Sequence, residues 1–230
     1  MTASAQICFT GDSGCPNFDP NQFKSDVCKI CSKKIQSHIG ATKEQICSAL
    51  EYIVDSIPTL VLLDETGGGL YMGGYKAGLN IENLKNKKVG LVVCTAGGLE
   101  RVLGPKYKQQ LEQRHQKLTE IEDLFIDLSD DLEQVLDFAE LTRISERIQH
   151  YLELGSSVLV HCAQGKSRSA VVVVFHLRRI LNISFEEALK RVKQARSMAE
   201  PNPNFINQLI NFERTERYKQ KVNQPIGDVS

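Results

Sequence analysis

Cys162 is followed six residues later by Arg168, within His161-Cys162-Ala163-Gln164-Gly165-Lys166-Ser167-Arg168-Ser169. Residue types at this spacing can hold an anion and attack it. The flanking runs, SSVLV before and AVVVVFHL after, read as a buried strand and a buried helix. A loop between two such elements turns its backbone N–H groups into a nest at the positive end of the helix dipole. Gly165 permits the positive φ that this curling requires. Ala163, Gln164, Gly165, Lys166, Ser167 and Arg168 would then line a phosphate cradle, with the planar guanidinium of Arg168 gripping two oxygens at once. The same donors pull the Cys162 thiol below its ordinary range and leave a thiolate, a strong nucleophile, facing phosphorus. Ser169 is placed to donate a hydrogen bond to the sulfur and help it leave. Lys166 reads as a solvated rim cation. If it faced the substrate instead, multiply phosphorylated lipids or sugars would be favoured. His161 reads as a buried residue that shapes the loop.

The elements around the loop are legible from periodicity. Ile46, Leu50, Ile53, Val54 and Ile57 recur at helical spacing before Pro58. TLVLLDE, the turn at Gly67 to Gly69, and LYMGG read as a hairpin. VGLVVCTA and LFIDL read as strands, and residues 103–122 as a polar, mostly exposed helix. Residues 136–154 form an amphipathic helix stopped by Gly155. Ser184 with Glu187 makes a capping box for the next helix. Asn202 and Pro203 start a last short helix. Strands alternating with helices predict an α/β fold, a central mixed sheet with helices on both faces. Cys94 should end a strand beside the one carrying Cys162. It reads as an inert buried thiol, with a reversible disulfide to Cys162 as the alternative.

Twenty-eight basic and 28 acidic residues leave a net charge of zero, which argues against nucleic-acid binding. No apolar run approaches a membrane span and the N-terminus lacks a signal-peptide pattern, so a cytoplasmic or nuclear protein is expected. Of the seven cysteines, four fall within the first 31 residues. In a reducing compartment, that clustering points to metal more than to disulfides. Cys28-x-x-Cys31, with Cys15 before and His38 after, offers a tetrahedral zinc site, and Cys8 could replace His38. Phe18 and Phe23 would form a miniature core beside the metal. A C-x-x-C redox pair is the alternative, but no thioredoxin-like unit surrounds it. The expected domains are a zinc-stabilised module over 1–45, a catalytic domain over 46–216 and a flexible tail over 217–230.

The nine residues from His161 to Ser169 match His-Cys-x-x-Gly-x-Ser-Arg-Ser. This resembles the signature of the dual-specificity protein phosphatases, in the cysteine-dependent tyrosine phosphatase superfamily. The stretches 70–96 and 201–213 resemble that family's early strands and closing helix. The resemblance implies hydrolysis of phosphotyrosine and phosphoserine or phosphothreonine in proteins through a phosphocysteine at Cys162, with no catalytic cofactor. It also implies an aspartate general acid upstream. A strand followed by Ser-Asp falls on Ser129-Asp130, with Asp131 and Asp127 as alternatives. Where the family often has Asn-x-Gly-Phe, this chain has Asn202-Pro203-Asn204-Phe205, which suggests that Asn202 only caps its helix. Rival readings are a phosphoinositide or other non-protein phosphatase, and a phosphate-binding scaffold. The N-terminal module and the 105–122 helix are the candidate surfaces for a protein partner.

Overall fold

The period-two apolar pattern of the second part of the chain becomes one five-stranded sheet. Its strands are β1 (Thr59–Leu63), β2 (Gly69–Gly73), β3 (Val89–Cys94), β4 (Glu122–Phe125) and β5 (Ser157–His161), in the order β1-β2-β5-β3-β4. β1 pairs antiparallel with β2, and the other neighbours are parallel, so the sheet is mixed as expected. This computed structural model describes residues 11, 15, 18–20, 26–46, 48 and 56–222. The chain divides into two compact units, Met1–Ile57 and Pro58–Ser230.

Side-chain alternation explains why the sheet needs cover on both faces. Leu70, Met72, Leu91, Val93, Val158 and Val160 point into the larger core. There they meet α5 (Phe138–Glu153), α6 (Arg168–Leu181), α7 (Phe185–Ala195) and α8 (Pro203–Val222). Val92 and Leu159 face the other way, against α1 (Tyr75–Leu79), α2 (Ile81–Asn86) and Leu118. Every residue of β5 is buried, the mark of a parallel strand covered on both sides. The run Val171 to Val174 would locally favour a strand, yet it is helical and buried within α6. Tertiary packing overrides its local preference.

Caps set the helix boundaries. Asp137 starts α5 by accepting hydrogen bonds from the N–H groups of Ala139 and Glu140, and Gly155 follows its end with φ +72°. Ser184 accepts from the Glu187 N–H at 3.2 Å, but the Glu187 carboxylate turns to Arg191 and Lys190, so only half of the expected capping box forms. The helix expected over 103–122 is shorter, α4 (Pro105–Lys117); a separate short helix, α3 (Leu99–Leu103), precedes it and β4 follows at Glu122. Gly104, at φ +74°, and Pro105 separate α3 from α4. Nor is α4 merely an exposed helix. Tyr107 and Arg114 are buried, and Arg114 pairs with Asp123 of β4 and donates to the Gly78 carbonyl. A buried cation needs such partners, and losing one costs about 3–5 kcal/mol. The last helix, expected to be short, runs for 20 residues to Val222.

In the N-terminal unit, Thr42 and Gln45 cap each other reciprocally at the start of a helical stretch over 43–46. Cys8, Phe23, Leu50, Ile53 and Val54 lie outside the described residues.

Candidate active site

Two parallel strands end side by side, with Cys94 of β3 opposite His161 of β5. Beyond β5 the chain cannot simply continue into α6, because the sharp reversal leaves Gly165 at φ +69°. A Cβ there would lie 2.4 Å from the Gly73 carbonyl carbon, so both backbone angle and space demand glycine. The loop is braced from several sides. The Tyr75 N–H donates to the Ala163 carbonyl at 3.1 Å. The buried Arg196 donates to the carbonyls of Gly165 (2.8 Å) and Gln164 (3.1 Å) and to Thr59 Oγ1 (3.1 Å). Pulling these carbonyls outward leaves the loop N–H groups facing inward.

What they face is the Cys162 sulfur. Gly165 N–H lies 3.1 Å from Sγ and the Ser169 hydroxyl 3.4 Å. Burial pushes the thiol up. Hydrogen bonds from the Ser169 hydroxyl and from the N–H groups of Ser169, Lys166 and Gly165 outweigh burial, and the net shift is downward. His161 does not help as a cation. Its ring is fully buried, its Nδ1 lies 3.2 Å from the Cys162 carbonyl, and burial lowers it to about 4. Cys94 is equally buried, but its sulfur meets the Ala96 carbonyl, at 3.6 Å, and burial pushes it up to about 11.

Arg168 opens α6 beside this sulfur. Its Nε is buried with no hydrogen-bond acceptor among the described residues, where its nearest acid is Asp130 Oδ2 at 3.7 Å. Asp130 Oδ1 accepts from the Ser167 hydroxyl at 2.6 Å and from Asn202 Nδ2 at 3.0 Å. The alternatives are occupied elsewhere. Asp131 Oδ1 caps a turn by accepting from the N–H groups of Glu133 and Gln134. The Asp127 carboxylate sits against Gly97. Of the three aspartates named from the sequence, Asp130 is the one brought against Ser167 and Arg168. Asn202 does cap α8, accepting from the Phe205 N–H at 3.0 Å, but its amide also holds Asp130. The capping-only reading was therefore too narrow. Asn202 and Arg196 were not singled out as site residues. An Asn-Pro pair signals only a helix start, and nothing in a lone arginine after a helix shows that it reaches a distant loop.

In the N-terminal unit, one donor atom each from Cys15, Cys28, Cys31 and His38 lie within 4.8 Å of one another. His38 Nδ1 lies 3.1 Å from the Lys34 carbonyl, so a proton on Nδ1 leaves the Nε2 lone pair facing Cys31 Sγ at 3.2 Å. Phe18 packs edge-on to His38, and Phe18, Cys28 and Ile35 form a small core. Burial pushes Cys28 up, but N–H groups aimed at its sulfur prevail and take it down to about 6. Zinc–sulfur bonds of about 2.3 Å set tetrahedral edges of roughly 4 Å, so this donor set fits zinc.

Comparison with known proteins agrees with this geometry. Dual specificity protein phosphatase 1 of Arabidopsis thaliana is 28% identical over 204 residues, covering 89% of this chain and 93% of its own length. Human dual specificity protein phosphatase 22 is 31% identical over 167 residues, covering 70% of this chain and 79% of its own. Among solved structures, human DUSP28 aligns with a TM-score of 0.55 at 27% identity, over 70% of this chain and 95% of that one. A mouse putative dual specificity phosphatase complexed with zinc tungstate aligns with a TM-score of 0.56 at 26% identity, over 72% and 91%. The family described as dual specificity phosphatase, catalytic domain, matches residues 70–215, which include Asp130 and the whole loop around Cys162, and the chain belongs to that family.

Proposed function

We propose that this chain hydrolyses phosphate monoesters on protein tyrosine and serine or threonine through a phosphocysteine at Cys162. The observation that carries this reading is a buried sulfur ringed by hydrogen-bond donors beside an arginine whose buried Nε has no acceptor among the described residues. A phosphate in the loop would supply that acceptor. The thiolate attacks phosphorus as the ester P–O bond breaks, and the electron pair goes to the leaving oxygen, which takes a proton from the Asp130 carboxyl group. Arg168 and the loop N–H groups stabilise the charge on the equatorial oxygens. Asp130, now a carboxylate, takes a proton from water. The water oxygen bonds to phosphorus, the S–P bond breaks, and Ser169 stabilises the departing thiolate. Asn202 and Ser167 orient Asp130, and Arg196 positions the loop. No catalytic cofactor is required.

The test is hydrolysis of para-nitrophenyl phosphate and phosphopeptides. The expected result is turnover by wild type, with phosphate trapped on Cys162 in rapidly quenched samples. Cys162→Ser should be inactive. Asp130→Asn should lose about 10²–10⁴-fold in kcat. Asp130→Asn as active as wild type would refute the acid assignment. Preference for phosphoinositides over every phosphopeptide would refute the substrate class.

For the N-terminal unit we propose structural zinc held by Cys15, Cys28, Cys31 and His38. Bound metal contributes folding free energy that so small a core lacks. One zinc per chain, lost in Cys28→Ser, is expected from elemental analysis. A metal-free chain with unchanged protease resistance would refute it.

A further inference from the structure

A cavity of about 730 Å³ opens at the carboxyl ends of β3 and β4, lined by Cys94, Ala96, Tyr107 and Phe125 among others. Phe125 is 60% exposed, an aromatic ring left to water on the wall of a concavity. Such a surface is a candidate contact for an apolar group. The cavity adjoins the catalytic centre. Cys94, Ala96 and Tyr107 share one apolar cluster with Cys162, and Thr95 donates from its N–H to the His161 carbonyl at 2.8 Å. Two cations, Arg101 and Lys108, line it against one acid, Glu100, in a chain of zero net charge. Neither cation makes an ion pair among the described residues.

The sheet order sets the distance. Cys162 follows β5, Phe125 ends β4, and β3 lies between them. Two strand spacings are about 10 Å, which an extended peptide covers in about three residues. We propose that the cavity is a specificity pocket for protein substrates. It takes an apolar side chain about three residues from the phosphorylated one, and Arg101 and Lys108 favour an acidic residue beside that side chain. The proposal rests on the phosphatase reading above and names a feature of the sequences it selects.

The experiment compares phosphopeptides that differ only in a Leu-Glu or an Ala-Lys pair at the third and fourth positions, placed before or after the phosphoresidue. Wild type, Phe125→Ala and Lys108→Glu are assayed as full chains. Both substituted residues are exposed, and thermal unfolding checks that the fold is retained. In one of the two placements, wild type should show a kcat/KM for Leu-Glu higher by about tenfold, carried mainly by KM. Both variants should lose most of that preference while hydrolysing para-nitrophenyl phosphate like wild type. Equal kcat/KM in both placements, or a preference that survives both substitutions, would overturn the pocket. Absence of para-nitrophenyl phosphate hydrolysis by wild type would instead sink the phosphatase reading.

Discussion

Cys162 and Cys94 sit at the carboxyl ends of adjacent parallel strands, both almost fully buried, and their thiols shift in opposite directions. Burial alone raises a thiol, as it does at Cys94. Cys162 differs because a turn beginning at Gly165 directs N–H groups and the Ser169 hydroxyl at its sulfur. Cys94 lies where the chain runs on toward α3, and its sulfur meets a carbonyl. Reactivity is thus a property of the loop's donors, not of the cysteine or its depth. The third kind of thiol, at Cys28, meets N–H groups too, but its neighbours are Cys15, Cys31 and His38 instead of an arginine.

The comparison can be broken at four points. Cys162→Ser should lower kcat by roughly 10⁴-fold or more, while Cys94→Ala leaves kcat near wild type and costs only stability. A Cys94→Ala enzyme as dead as Cys162→Ser would overturn the division. Ser169→Ala removes one donor from the thiolate, so the Cys162 pKa rises. The acid limb of kcat/KM should move up by about one to two pH units, because a hydrogen bond to a charged group contributes about 1.5–3 kcal/mol. An unmoved limb would show that the N–H groups alone hold the charge.

Alkylation by iodoacetamide below neutral pH should label Cys162 and spare Cys94, read by peptide mass spectrometry. Equal labelling in the folded protein would contradict the opposed shifts. The last point concerns the histidines and changes nothing at neutral pH. Burial lowers His161 and His176 to about 4 from 6.5, so between those values the unfolded chain binds more protons. Their contribution to stability is complete above pH 6.5 and is lost as pH falls toward 4, by up to about 1.4 kcal/mol per pH unit for each histidine. The urea midpoint should therefore drop across that window. A flat midpoint would mean that an imidazolium is tolerated inside, and the thiolate would then have a second source of positive charge.

The amino-acid order by itself determined the sheet's strands, β4 only to within two or three residues, together with the buried helix behind the loop, the loop's nine residues and the grouping of Cys15, Cys28, Cys31 and His38. These features depend on local periodicity, short spacing and turn chemistry, which a single chain displays openly. The Ser-Asp pattern put Asp130 before Asp131 and Asp127, and the tertiary structure brings Asp130 against Ser167 and Arg168. It alone placed Arg196 behind the loop, 31 residues from Gly165 in sequence, and buried Arg114 of a helix that reads as fully polar. Those contacts join residues far apart in the chain, and a hydrogen bond across such a separation leaves no mark on the sequence near either partner.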